Sequence, residues 1–250
     1  MGPWTLTHLY QIVPTFVISA ALSIFVAKAM RNAKDKLKYI PLQVIAVLLL
    51  ILEVIKQIYN IKEYEAQNFY AIPLHYCSLF IYVLPFHAFY RGKHRQITDA
   101  VAFSCLASLM IFMILMPTVV YTDGDIKSFF RLFEGFHTVL FHNLVVLYFM
   151  LTLALKLYSF DTRRDLISIG VFLSVYVTVA AIFAYTLKTN FHNLYRCNIN
   201  FIENVHLRLV ESLGIFGTLL YVLALFIATI LFTFASYCLA RLFIKATDKK

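Results

Sequence analysis

Glu53, Lys56, His75, Cys77, His137, His142 and Asn143 all lie in stretches of this chain that are otherwise apolar. Carboxylates and imidazoles in such surroundings pass protons or ions, imidazoles also hold metals, and a thiol can act as a nucleophile once its proton is removed. Ionisable groups are costly in hydrocarbon, so each is a functional candidate by default. Spacing narrows the chemistry. Glu53 and Lys56 stand at i,i+3 and are able to pair on one helix face. His75 and Cys77 are two apart, about 200° on an ideal helix, so only one faces a shared cavity unless Pro73 loosens the turn. His137 and His142 are five apart, about 140° in angle, and are not the i,i+4 pair of a helical zinc site. The four cysteines show no CxxC or His/Cys metal spacing, so neither metal nor cofactor is expected. Each group also has a plain structural reading. Cys77 can be a small buried residue. His142 with Asn143 can be interhelical hydrogen-bond glue, and Lys56 can snorkel outward from Glu53. His87, Cys105 and Cys238 read as packing.

The elements that position these groups follow from composition. Of 250 residues 61% are hydrophobic and 14% charged, and mean hydropathy is +0.77, whereas soluble domains carry about 25% charged residues. A water-soluble fold is excluded. Segments of ~20 apolar residues are needed to cross the hydrocarbon, and seven fit: 10–30, 39–60, 69–90, 100–121, 136–158, 165–187 and 211–240. All must be helices, because lipid offers no partner to open backbone groups and no ~10-residue barrel alternation is visible. The expectation is an all-α, polytopic, single domain over residues 1–250. Residues 1–10 hold no basic residue, and the apolar run after them is too long for a signal peptide. Fifteen Lys and Arg fall on the side of residues 28–38, 91–95, 156–164 and 241–250, against seven on the other. This excess puts the C-terminus in the cytoplasm and the N-terminus outside, in a multi-pass protein of the cell membrane. The net charge of +9 is scattered through short loops, which suits anionic lipid headgroups rather than nucleic acid.

At 1.5 Å per residue, His75, His142 and Glu53 sit about 9–10 Å below the outer edge, Cys77 about 12 Å and Lys56 about 6 Å. Three helices thus bring polar groups to the depth of a phospholipid acyl ester.

The stretch Ile72-Pro73-Leu74-His75-Tyr76-Cys77-Ser78 resembles the "LPLHxC" signature of the YwaF-like group of bacterial membrane proteins, which is related to the transmembrane protein 164 family. Met116-Pro117 closes a later span, and Phe136-His137-Thr138-Val139-Leu140-Phe141-His142-Asn143-Leu144-Val145-Val146 is similar to the group's "FF-x-x-H-G-L-I-V" segment, with Asn143 in place of Gly. The resemblance covers roughly residues 40–160. It implies a lipid acyltransferase or acyl hydrolase acting on phospholipid acyl esters, with Cys77 as nucleophile and His142 as base; His75 or Asn143 can then orient the base or steady the oxyanion. Membrane phospholipids are the partners this implies. Two other classes stay open: a transporter relaying protons or ions through Glu53, His75 and His142, and a non-catalytic membrane scaffold.

Overall fold

The computed structural model of the chain describes residues 4–63, 72–197 and 199–247. Helix accounts for 81% of the described residues, with no strand among them. In chain order the elements are α1 (Leu6–Ala29), α2 (Asp35–Lys38), α3 (Ile40–Glu63), a 3-10 turn (Tyr76–Ser78) leading into α4 (Leu79–Phe89), α5 (Arg95–Leu115), α6 (Pro117–Val120), α7 (Asp123–Lys127), α8 (Phe133–Ala154), α9 (Thr162–Thr186), α10 (Asn200–Leu213) and α11 (Ile215–Thr247). Six of these, α1, α3 (continuous with α2), α5, α8, α9 and α11, are long and apolar enough to cross a membrane.

The remaining apolar helical stretch, Tyr76–Phe89, rises only about 21 Å and is preceded by non-helical chain at residues 72–75. The first residues of the expected 69–90 span, 69–71, lie outside the described residues. Pro73 has no N–H to give a helix, and His75 is extended at φ −77° and ψ 156°. The carbonyls freed here need donors, because open backbone survives at membrane depth only where protein satisfies it. Two tyrosines supply them: Tyr82 donates to the Pro73 carbonyl at 3.2 Å and Tyr176 to that of His75 at 2.7 Å.

Helix α5 runs through the middle, packed against α4, α8, α9 and α11. Its buried Ala100, Ala102, Ser104, Ala107 and Ser108 are small and let neighbouring backbones come close. From there the packing runs α4 to α3, α3 to α8, and α8 to α1. The end where α3 stops and α8 starts carries α6 and α7, the latter opened by a capping box between Thr122 and Asp125. Helix α7 lies hard against α8 at Gly135, where a Cβ would meet Ser128 Oγ at 2.2 Å and the Asp125 carbonyl at 2.6 Å.

Two expected boundaries move for local reasons. Helix α5 stops at Leu115 rather than 121, because Met116, ahead of Pro117, is extended at φ −142°. The last span starts at Ile215 rather than 211. Gly214 turns the chain at φ 58° and ψ −129°, a conformation open essentially only to glycine, and residues 211–213 close α10. Helix α10 then folds back along α11, so closely that a Cβ on Gly217 would come within 2.1 Å of the Leu209 carbonyl.

Candidate functional site

Polar side chains from α3 and α8 meet at one end of the bundle. Glu53, 7% exposed, receives Lys56 Nζ at 2.9 Å and a hydrogen bond from Gln57 Nε2 at 2.6 Å, both on Oε1. Its other oxygen lies 3.8 Å from His137 Nε2 across the interface with α8. The i,i+3 pair read from the sequence therefore forms, and it is joined by a histidine from another helix.

His142 is held differently. Its Nδ1 sits 2.7 Å from the Thr138 carbonyl, one turn back on α8. A carbonyl only accepts, so the proton is on Nδ1 and the lone pair on Nε2. That Nε2 is buried and has no hydrogen-bond partner among the described residues. The ring lies edge-on to Tyr121, with centroids 5.3 Å apart. Buried polar atoms are nearly always paired, so this lone pair is a site waiting for a donor. His137 Nε2 is in the same condition.

Asn143 points towards α1. Its Oδ1 accepts from Gln11 Nε2 at 3.2 Å, Thr15 Oγ1 at 3.1 Å and the Tyr121 hydroxyl at 3.0 Å. Because the Gln11 amide can only donate, the acceptor is the Asn143 oxygen, and Nδ2 is what this side chain has left to offer as a donor. Tyr121 is fixed at its other end too. The Thr5 N–H reaches His8 Nδ1 at 3.3 Å, which leaves the proton on Nε2, and Nε2 meets the Tyr121 carbonyl at 2.8 Å. The structural role weighed for Asn143 is thus present in full: it ties α1, α8 and the segment after α6 into one knot.

Cys77 lies half-buried in the 3-10 turn. Tyr121 contacts both His142 and Asn143. The ring of His75 packs 5.5 Å from Phe191 in the loop after α9, beside His192, which is bonded to Thr229 of α11 at 3.0 Å. All four cysteines are free, and no three His, Cys, Asp or Glu among the described residues could hold a metal ion.

At the opposite end the structure corrects one reading. His87 is no mere packing residue: Nδ1 is 2.6 Å from the Tyr148 hydroxyl and Nε2 is 3.5 Å from Asp99. Nearby, the fully buried Asp165 accepts from the Asp161 N–H at 2.8 Å, from Gln96 at 3.3 Å and from Tyr237, joining α5, α9 and α11. Spans drawn from residues 100 and 165 leave both carboxylates at a rim, which hides their burial. Gln11 and Thr15 offered one usable signal, two polar side chains four apart in an apolar span.

No curated protein and no solved structure matches the chain. The sequence model of the TMEM164 family matches residues 3–236, a stretch that contains Glu53, Lys56, His75, Cys77, His137, His142 and Asn143. With that match and its set of long apolar helices, this multi-pass membrane protein belongs to the TMEM164 family.

Proposed function

We propose that the protein transfers acyl groups between membrane phospholipids through a thioester on Cys77, with His142 as the base. The observation that carries this reading is the His142 imidazole, fixed by the Thr138 carbonyl with its free lone pair on a buried, unpartnered Nε2. A thiol needs such a partner, because burial disfavours the thiolate. In the reaction, Nε2 takes the Cys77 proton and the thiolate attacks the ester carbonyl. The C–O bond then breaks, and the proton passes from Nε2 to the departing lysophospholipid oxygen. The Asn143 amide group is the donor we assign to the oxyanion. Water is scarce at this depth, so the thioester passes its acyl group to a lipid hydroxyl in preference to hydrolysis.

This reading takes seven crossings, the seventh made by Tyr76–Phe89 together with the extended residues before it, in a single domain. The N-terminus is outside and the C-terminus in the cytoplasm of a cell-membrane protein, so that Cys77 and His142 lie in the outer half of the bilayer. The experiment is to incubate the purified protein in lipid nanodiscs with a phospholipid carrying a labelled acyl chain. Hydroxylamine-sensitive label should appear on the protein, and Cys77→Ala should abolish it. Full labelling of Cys77→Ala would overturn the proposal.

A further inference from the structure

The sequence offers two histidines on α8, and one base suffices to form a thioester. We infer that His137, backed by Glu53, is the second base of the cycle and takes the proton from the acceptor hydroxyl of a lysophospholipid. The inference rests on the acyl-enzyme reading above.

Three features of the structure carry it. His137 Nε2 is buried and unpartnered, and it faces the Glu53 carboxylate at 3.8 Å, too long for a direct hydrogen bond. Lys56 and Gln57 pin that carboxylate from its own helix, so it stays in place on the Nε2 side of the ring, facing the N–H formed there when His137 takes a proton. Finally, the two imidazoles of α8, which both touch Phe141, face different neighbouring elements. His142 is turned to Tyr121 and His137 to α3, as an offset of about 140° requires.

His137 also lies about 7.5 Å nearer the start of α8 than His142, towards the headgroups under the proposed orientation. A lysophospholipid presents its free hydroxyl on the glycerol, on the headgroup side of the ester that Cys77 attacks. In the transfer step the acceptor O–H bond breaks, its proton goes to His137 Nε2, and the oxygen forms an ester with the thioester carbonyl. The C–S bond then breaks to release the Cys77 thiolate.

The test separates the two half-reactions. Wild-type protein in nanodiscs is first acylated from a labelled diacylphospholipid, then chased with unlabelled lysophospholipid. His137→Gln should acylate at the wild-type rate and release its label to the acceptor about 10²–10⁴-fold more slowly, the usual contribution of a general base, so that the thioester accumulates. A second variant, His137→Ala, should regain the chase when free imidazole is added, which a purely structural role would not permit. A chase at the wild-type rate in His137→Gln overturns the inference and leaves the acyl-enzyme reading intact, as does equal loss of acylation and chase in both variants without imidazole rescue. Absence of a thioester in the wild type refutes both.

Discussion

Replacing Asn143 by alanine should loosen the bundle by an amount that can be worked out from its partners. One oxygen receives donors from Gln11 and Thr15 of α1 and from Tyr121. Interhelical hydrogen bonds in membranes are worth about 0.6 kcal/mol on average and about 1.7 at most. Three donors share two lone pairs, so the total falls short of three full bonds. Truncation also leaves the buried Tyr121 hydroxyl without its acceptor. The expected loss is roughly 1–3 kcal/mol, a drop in melting temperature of roughly 2–10 °C for a chain of this length. The assay is thermal unfolding in detergent, followed by near-UV circular dichroism or by thiol reactivity of the buried cysteines. A cycle with Tyr121→Phe sharpens it, because groups that share a hydrogen bond are non-additive by about 0.5–3 kcal/mol. If the two substitutions add, or if Asn143→Ala melts with the wild type, the knot between α1 and α8 does not exist as described.

Other expectations follow from single contacts. His142→Ala should slow thioester formation about 10²–10⁴-fold, read as the labelling rate in nanodiscs, while helix content by far-UV circular dichroism stays unchanged. Gly135→Ala drives a methyl into Ser128 and the Asp125 carbonyl, and overpacking of this kind costs about 1–3 kcal/mol, measurable as a lower melting temperature. Asp165→Leu strands the donors of Asp161, Gln96 and Tyr237. It should destabilise by at least as much as Asn143→Ala, with loss of folded protein on size-exclusion chromatography as the readout. A fluorescent reporter that matures only in the cytoplasm, fused after Lys250, should be bright; a dark but fully inserted fusion would reverse the proposed orientation.

What the sequence revealed follows the range of the forces involved. Helix formation in an apolar chain is dictated locally, so the long helices are legible from hydropathy, and so is the Glu53–Lys56 pair, three residues apart on one helix. The joining of Glu53 to His137 is not legible, because a span drawn from residue 136 leaves His137 at the rim while Glu53 lies about 10 Å in; the angular argument against a paired-histidine metal site needs only the helical period. Interactions that depend on distant partners are not legible. Residues 72–75 remain non-helical because Tyr176, 101 residues away from His75, satisfies a carbonyl there. Hydropathy treats this stretch as more helix. Gly214 interrupts an apolar run without making it less apolar, so a span is drawn through the turn between α10 and α11. Asp99 and Asp165 look like rim charges because burial by helices elsewhere in the chain leaves no mark in their own segments. Asn143 shows the limit most clearly. Its identity suggests hydrogen bonding, and only the fold shows that the bonds go to α1 and Tyr121.

The most direct test of the central claim is mass spectrometry of the peptide containing Cys77 after incubation of the nanodisc-embedded protein with a phospholipid of defined acyl chain. The account predicts an added mass equal to that acyl group on Cys77, removed by hydroxylamine, greatly slowed in His142→Ala and absent in Cys77→Ala. An unmodified Cys77 in protein that nevertheless remodels its phospholipids would contradict it.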